Sequence, residues 1–237
     1  MEQFVEYGST RIDFELAFAD RKTLGITVHP DRRVSVTAPL HSDLPKILAK
    51  VRKRAAWITK QQRFFLGFEP RTPPRRFVSG ESHFYLGRQY RLKIVEAEED
   101  SVKLSGGFFW ARTRVRGKVE KSKAARSLLD TWYREKADHH FPKIAAPYLG
   151  RFARLGAVPN DFVIRKMDKR WGSCTAGGKV ILNTELIRAP RGCIEYVIVH
   201  ELCHLLHHDH GPAFQSLQAR EFPAWEKWKR VLEEKMT

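Results

Sequence analysis

The feature that most constrains the fold is a mostly aliphatic stretch, residues 196–205, that contains two histidines and a glutamate. His200, Glu201 and His204 form an H-E-x-x-H motif within it. Four residues advance a helix by about 400°, so the spacing predicts a helix with both imidazoles one turn apart on the same face. Buried histidine and glutamate side chains are costly without a partner, and a metal ion supplies one. We therefore predict a buried helix that binds a metal ion, in preference to a histidine pair satisfied within the core.

The chemistry of this motif is that of a zinc hydrolase. Two imidazoles on one helical face can bind one Zn²⁺, and Glu201 then lies beside the ion, where it can accept a proton from water. Zinc lowers the pKa of bound water towards about 7, so a carboxylate suffices as general base at neutral pH. The motif therefore predicts Glu201 as the catalytic residue.

A catalytic zinc site needs a third protein ligand and an open position. Gly211-Pro212 is typical of a helix end, so a chain that reverses there can return His210 to the metal. His207 and His208 are predicted to continue along the helix beyond His204, which places them less well. The candidates in order of preference are His210, His208 and His207, with Glu221 and Glu226 as weaker, more distant alternatives.

A second polar cluster, residues 170–174, has no single interpretation from its spacing. Functionally, Arg170 could stabilise an oxyanion or bind an anionic substrate group, and Ser173 could donate a hydrogen bond. Structurally, Trp171 could belong to the core and Gly172 to a turn or bulge. Both interpretations stay open on the residues alone.

Composition and charge narrow the class of protein. The 237 residues carry 43 lysines and arginines against 27 acidic residues, a net charge of +16, and 42% are hydrophobic, which is enough for a folded core. No stretch approaches the roughly 18 consecutive apolar residues of a membrane-spanning helix, and no signal peptide is predicted. Three cysteines, an odd number, argue against a disulfide framework. We expect a cytoplasmic protein without a membrane partner.

Most of the excess positive charge lies in the first two thirds of the chain, and much of it in one segment. Apolar residues recur every three or four positions over 44–66, which predicts an amphipathic helix without an acidic residue. Trp57, Phe64 and Phe65 add the aromatic side chains that single-strand binding often uses. The alternative, aromatic residues in the core beneath a solvated charged face, stays open. The candidates for contact with a polyanion are Lys46, Lys50, Arg52, Lys53 and Arg54.

Periodicity along the chain predicts an α+β fold in two regions, 1–118 and 119–237. The first is predicted to be β-rich, with a hairpin of strands 24–28 and 34–39 and the basic helix 44–66. The second is predicted to contain the metal-binding domain. Its predicted elements are a helix over 122–141, strands near 163 and over 179–183, a long helix from 191, and a short C-terminal helix.

A set of short motifs resembles a known family. They are Arg170-Trp171-Gly172-Ser173-Cys174, Ile181-Leu182-Asn183, the H-E-L-C-H stretch at 200–204, His210 and Phe214. In this combination the sequence resembles the YgjP-like metallopeptidase domain, which is similar to the SprT and WLM groups of minimal zincins. The resemblance covers most of the chain, more loosely in its N-terminal part.

The resemblance implies a ligand set and a fold for the second region. It implies His200, His204 and His210 as zinc ligands, Glu201 as general base, and a small sheet with an active-site helix. It also implies that residues 170–174 lie near the metal. The family commonly has Asn-His-Ser around the third ligand, whereas this chain has Asp209 before His210, and that carboxylate could hold the imidazole.

Three functions follow as hypotheses. The first is a zinc-dependent hydrolase, a minimal metallopeptidase that acts on a peptide or protein. The second keeps the metal site but takes a nucleotide, as a nucleoside triphosphate pyrophosphohydrolase in which Arg170 or upstream cations hold phosphates. The third is a nucleic-acid-associated protease or binding module, with nucleic acid contacting the basic region.

Overall fold

The computed structural model describes residues 1–8, 10–29, 31–66, 75–168 and 170–236, without the side chains of 64–66, 235 and 236. The fold is mixed α+β, as predicted. Packing divides the chain into two compact units, Met1–Pro73 (the first unit) and Pro74–Met236 (the second unit). Within the described ranges no helix is long and apolar enough to cross a membrane.

The first unit contains a four-stranded sheet in the order β1-β2-β4-β3. Apolar residues alternate along its strands, so one face of the sheet carries a core that includes Ile12, Phe14 and Val36. The predicted hairpin is confirmed, because β3 and β4 pair antiparallel with Ile26 opposite Val36. The strands are β1 (Glu2–Tyr7), β2 (Thr10–Ala19), β3 (Gly25–Val28) and β4 (Val34–Pro39).

The basic segment 44–66 forms two helices, α1 (Leu44–Lys53) and α2 (Ala55–Leu66), where the periodicity predicted one. At Arg54 the backbone leaves the helical region (φ −97°, ψ 2°), and its N–H bonds to the carbonyls of both Lys50 and Val51. Such a shared bond tightens the last turn of a helix, so the first helix ends there. The side chains of Phe64 and Phe65 lie outside the described residues.

The second unit begins with another four-stranded sheet, in the order β5-β6-β8-β7, packed on the long helix α3 (Lys118–Arg154). Phe109 of β8 lies 5.0 Å from Trp132 and 5.8 Å from Tyr133 between ring centroids. Because this sheet and α3 share one core, the unit boundary falls between residues 73 and 74, whereas the sequence placed a division after residue 118. The strands are β5 (Ser82–Tyr85), β6 (Arg88–Glu96), β7 (Ser101–Ser105) and β8 (Phe108–Thr113).

Helix α3 is longer than the predicted segment 122–141 and continues through Pro142 and Pro147. Proline removes a hydrogen-bond donor and crowds the preceding turn, so a helix commonly ends or kinks at such a residue. The buried side chains of Tyr148 and Phe152 hold the following turns against the core. Tertiary packing therefore overrides the local helix-breaking signal.

The last part of the second unit contains the histidines of the H-E-x-x-H motif. A three-stranded sheet in the order β10-β11-β9 precedes a short 3-10 helix, Thr184–Arg188, and three α-helices. Ten of the 13 residues of the first of these helices, α4, are buried. The elements are β9 (Asp161–Arg165), β10 (Gly172–Cys174), β11 (Lys179–Asn183), α4 (Arg191–Cys203), α5 (Pro212–Glu221) and α6 (Trp225–Met236).

His83 in β5 is a fully buried titratable group of the second unit. Its Nε2 lies 3.1 Å from Oε2 of Glu81. The two oxygens of that carboxylate also accept backbone hydrogen bonds, Oε1 from the N–H of Arg76 and Oε2 from the N–H of Phe77. Within the described part of the chain, Nδ1 of His83 has no hydrogen-bond partner. Burial lowers the pKa of His83 to about 4. The neutral imidazole is therefore the form that the fold accommodates.

We expect the second unit to lose stability as the pH falls from about 6.5 towards about 4. In this window the unfolded chain protonates His83 and the folded chain resists it, so the unfolded state binds more protons and acid favours it. The loss from this residue is up to about 3 kcal/mol. Urea denaturation of chelator-treated protein across this pH range measures it. His83→Gln should flatten the dependence, and an unchanged slope in that variant would contradict the assignment.

Candidate metal centre

Helix α4 is fixed by close packing at its first turn. Gly192 lies beneath the indole of Trp228 on α6, and a Cβ at this glycine would be 2.1 Å from Cε2 of that ring. Any larger side chain would push the two helices apart. The helix ends at Cys203, and His204 is the first residue beyond it, still in the right-handed helical conformation. The H-E-x-x-H motif thus occupies the last turn of a buried helix.

The structure brings His200, His204 and His210 together. Ring centroids are 5.0 Å apart for His200 and His204, 5.0 Å for His200 and His210, and 4.7 Å for His204 and His210. One ligand nitrogen from each ring lies within 4.8 Å of the other two. The ring of Phe214 on α5 packs against all three, at 4.7 to 5.0 Å between centroids. The first-ranked third candidate, His210, is therefore the one that joins the motif.

The other candidates for a third ligand lie elsewhere. The helix was predicted to continue through His207 and His208, but it ends at Cys203, so both lie in the connection before α5. That connection reverses the chain, and Gly211-Pro212, expected to end a helix, instead begins α5. The carboxylate of Glu221 pairs with Arg220 and Arg151, and Glu226 lies in the first turn of α6.

Hydrogen bonds prepare two of the imidazoles to bind a cation. Nδ1 of His200 lies 2.9 Å from Oε1 of Gln218, and Nδ1 of His204 lies 3.1 Å from the carbonyl oxygen of His207. Both partners are acceptors, so each Nδ1 carries the proton and each Nε2 presents a lone pair. Burial lowers the pKa of His200 to about 4 and also lowers the pKa of His204, so both rings are neutral near pH 7. Neutral imidazole is the form that binds metal.

The separation of the ring nitrogens fits a tetrahedral metal ion. Nε2 of His200 and Nε2 of His210 are 3.1 Å apart. Two facing lone pairs at this distance repel unless a proton or a cation lies between them. Zinc–nitrogen bonds of about 2.0–2.1 Å at a tetrahedral angle place two nitrogens about 3.3 Å apart. The residues present therefore fit a metal ion held by three histidines.

Glu201 lies between the histidines and strand β10. Only 6% of its surface is exposed, and a Cβ at Gly172 would lie 2.7 Å from both Cγ and Oε1 of this glutamate. The absence of a side chain at Gly172 therefore lets the strand backbone lie against the carboxylate. Burial raises the pKa of Glu201 to about 7 in the metal-free chain, and a hydrogen bond from the backbone of Cys174 and the charge of Arg170 oppose that rise.

The rest of segment 170–174 lines the same region. Ser173 lies in β10 opposite Ile181, and Trp171 is half-buried against the core of the second unit. The Asn183 side chain donates to the carbonyl oxygens of Met167 and Arg170 and thereby shapes the loop before β10. Arg170 itself is exposed, and its charge acts on Glu201. Trp171 thus packs against the core, as the structural interpretation predicted. Arg170 and Gly172 lie near the site.

Asp209 does not hold the His210 ring. Its carboxylate accepts a hydrogen bond from the backbone N–H of Gly211, at 3.4 Å, and so closes the turn before α5. The backbone of His210 is held instead by the side-chain amide of Gln215, which donates to its carbonyl oxygen at 3.2 Å. Aspartate commonly accepts a hydrogen bond from the backbone N–H two residues later. The expectation that Asp209 holds the imidazole of His210 did not consider this local contact.

Residues 22–235 of the chain match the family described as YgjP-like, metallopeptidase domain. The chain belongs to this family. The match spans nearly the whole sequence, including most of the first unit, and membership supports a metal-dependent hydrolase at this general level. The histidine cluster is the part of the structure that could hold the metal ion that the family implies. Neither a curated protein nor a solved structure matches the chain significantly.

Gln218, which sequence reasoning missed, should determine metal affinity. We expect Gln218→Leu to weaken zinc binding by about 10- to 100-fold, because His200 loses the acceptor that fixes its tautomer. Competition with a chromophoric chelator measures the affinity. Gln218→Glu retains an acceptor and should preserve it, and Gln89→Leu on the exposed part of β6 is a matched control. Equal affinities for Gln218→Leu and the wild type would show that this contact is irrelevant.

Proposed function

We propose that the protein is a zinc-dependent peptidase with Glu201 as its general base. The observation that carries this proposal is the convergence of three imidazoles, two of them held as neutral donors by hydrogen bonds, beside one buried carboxylate. Family membership supports the general class, and the donor set supports the metal. Three imidazole nitrogens within 4.8 Å of one another suit zinc better than the oxygen-preferring Mg²⁺ or Ca²⁺.

His200, His204 and His210 would hold the ion. When bound there, the ion would polarise a carbonyl group and lower the pKa of water towards about 7. Glu201 follows His200 directly on α4, so its carboxylate borders the same space. It accepts the proton that water releases and delivers it to the departing amine, which leaves as a neutral group. The charge of Arg170 lowers the pKa of Glu201 and so opposes the rise that burial causes, which favours the ionised carboxylate that a general base requires.

The edge of β10 supports a peptide as the substrate. Strand β10 is the outer strand of its sheet, and the carbonyl of Trp171 and the N–H of Thr175 bond towards β11. Backbone groups alternate in direction along a strand, so those of Gly172 and Cys174 face outwards. The Cys174 hydrogen bond to Glu201 shows that this outer edge borders the carboxylate. An extended peptide that pairs with such an edge would pass beside the general base.

A nucleotide is the alternative substrate, and one comparison separates the two. Arg170 is exposed and near Glu201, as a phosphate-binding residue would be. We would assay the same zinc-loaded preparation against a peptide library, read by mass spectrometry, and against nucleoside triphosphates, read by pyrophosphate release. Peptide cleavage supports the proposal. Hydrolysis of nucleotides without cleavage of any peptide would replace it with the second hypothesis.

Glu201→Gln should abolish most of the activity while the metal remains. The amide cannot accept the proton, so we expect a loss of about 100-fold or more in kcat. Metal analysis of the same sample should give zinc at wild-type stoichiometry, because the three imidazoles are unchanged. Glu195→Gln, on the same helix in a pair with Arg191, is the matched control and should retain activity. Full activity in Glu201→Gln would refute the general-base role.

Gly172→Ala should impair the proton transfer by Glu201, because it changes the position of the carboxylate and not its chemistry. The added Cβ would approach Glu201 to 2.7 Å and must displace either the carboxylate or the strand. We expect kcat to fall by at least about 10-fold, because a shift of about 1 Å at a catalytic group can cost still more. Gly177→Ala is the control, since a Cβ there meets only Thr175 at an ordinary 3.9 Å. Similar rates in the two variants would contradict this role of Gly172.

A further inference from the structure

The first unit contains an open groove of about 800 Å³ where the junction of α1 and α2 faces strand β3. We call it the basic groove. Cations and an indole form the wall that the helices contribute, and Thr23 with two apolar residues forms the opposite wall. A volume of this size holds a ligand of about one nucleotide. The residues that define it are Leu24, Ile26, Lys50, Lys53, Arg54 and Trp57.

The cations of the basic groove are not neutralised by the fold. All three are exposed, no acidic residue lines the groove, and none of the ion pairs found among the described residues involves Lys50, Lys53 or Arg54. Both helices also lack acidic residues in their first turns. Three like charges within about one helical turn repel one another. An anion bound between them would reduce this electrostatic repulsion.

A second cavity of the same unit differs, because its cations are paired with carboxylates. It measures about 460 Å³, and arginines and acidic residues both line it. There Arg11 lies 2.7 Å from Asp13, and Arg33 lies 3.8 Å from Glu15. Each cation in that cavity therefore has an anionic partner of its own. The two cavities of the first unit therefore differ in that the lining cations are paired with carboxylates in one and not in the other.

The indole of Trp57 is placed to stack on a ligand. It is 40% exposed, whereas its neighbours Ala55 and Ile58 on α2 are fully buried and supply the contact with the core. The sequence left open whether Trp57 belongs to the core, and the structure places it on the wall of the groove instead. Half-buried Leu24 and Ile26 form the apolar surface opposite it. An aromatic face beside cations is the combination that binds a base together with its phosphates.

We propose that the basic groove binds single-stranded nucleic acid, with phosphates on Lys50, Lys53 and Arg54 and a base on Trp57. A duplex keeps its bases stacked inside and cannot offer one to an indole in a groove. A flat bilayer surface would not follow a concave wall. An acidic peptide would use the cations but has no planar group that requires Trp57. The inference concerns the first unit only and does not depend on the proposed hydrolytic activity.

The test is binding of the full-length protein to fluorescein-labelled oligo(dT) and oligo(U) of about 20 nucleotides, followed by anisotropy. We expect the affinity to fall steeply between about 50 and about 200 mM salt. Replacing Lys50, Lys53 and Arg54 together with alanine should weaken binding at least about 10-fold and reduce the slope of log K against log salt by about 2. The two oligonucleotides distinguish a DNA ligand from an RNA ligand.

A control variant that loses the same charge elsewhere distinguishes the effect of the groove from the effect of net charge. Lys103, Arg112 and Lys118 are exposed cations of the second unit that take part in none of the described ion pairs, and their triple alanine variant loses the same charge. We expect it to bind within about two-fold of the wild type, since it leaves the groove intact. Equal weakening in both triple variants would overturn the assignment to the groove, as would failure of the wild type to bind at low salt.

Trp57→Leu tests the stacking contact itself. We expect about five-fold to 100-fold weaker oligonucleotide binding, with unchanged binding of inorganic polyphosphate, which has charge but no base. Circular dichroism checks that the variant is folded, and Lys53→Glu, which leaves the indole in place, tests the groove a second time. Unchanged oligonucleotide binding in Trp57→Leu would overturn the proposal. Tighter binding of phosphatidylserine–phosphatidylcholine vesicles than of either oligonucleotide would overturn it in favour of a membrane surface.

Discussion

The burial of helix α4 is the constraint on which the rest of the second unit depends. Because water is excluded from the helix, each polar group of its motif needs a partner from another element. Gln218 of α5 serves His200, the carbonyl of His207 serves His204, and the backbone of β10 serves Glu201. The partners therefore come from both sides of α4 in the chain, from β10 before it and from the connection to α5 and α5 itself after it. A buried helix carrying three such groups specifies its neighbours more closely than an apolar helix would.

Two glycines determine how closely neighbouring elements pack against α4. Gly192 of α4 leaves space for the indole of Trp228 on α6, and Gly172 lets the backbone of β10 lie against Glu201. One contact holds the beginning of α4, and the other holds the end that carries His200 and Glu201. Neither glycine has an unusual backbone conformation, so both are required for space and not for flexibility. This explains why a glycine stands within the segment 170–174 beside residues whose side chains could serve chemistry.

The sequence predicted those parts of the structure that depend on local periodicity. The spacing of His200 and His204 sufficed for α4, and alternation sufficed for the hairpin of β3 and β4. It failed where packing outweighed a local signal, as in α3, which continues through Pro142 because its later turns are buried. His210 was ranked first on a turn signal, although the chain reverses earlier than that signal indicated. Gln218 lies 18 residues after His200, so only the packing of α5 on α4 connects them.

The two units use charge in opposite ways, and this difference follows from burial. At the histidine cluster, desolvation lowers the pKa of His200 and of His204, and Nε2 of His200 lies 3.1 Å from Nε2 of His210. Such a site favours a compact cation that coordinates at short range, and ionic strength affects it little. In the basic groove the charges are exposed and unpaired, so their attraction acts at long range and weakens with salt. Recognition by the basic groove would therefore depend on exposed cations, while coordination at the histidine cluster would depend on uncharged nitrogen donors. Removing cations from the groove and removing donors from the cluster should accordingly change different observables, the salt dependence of binding in one case and the affinity for metal in the other.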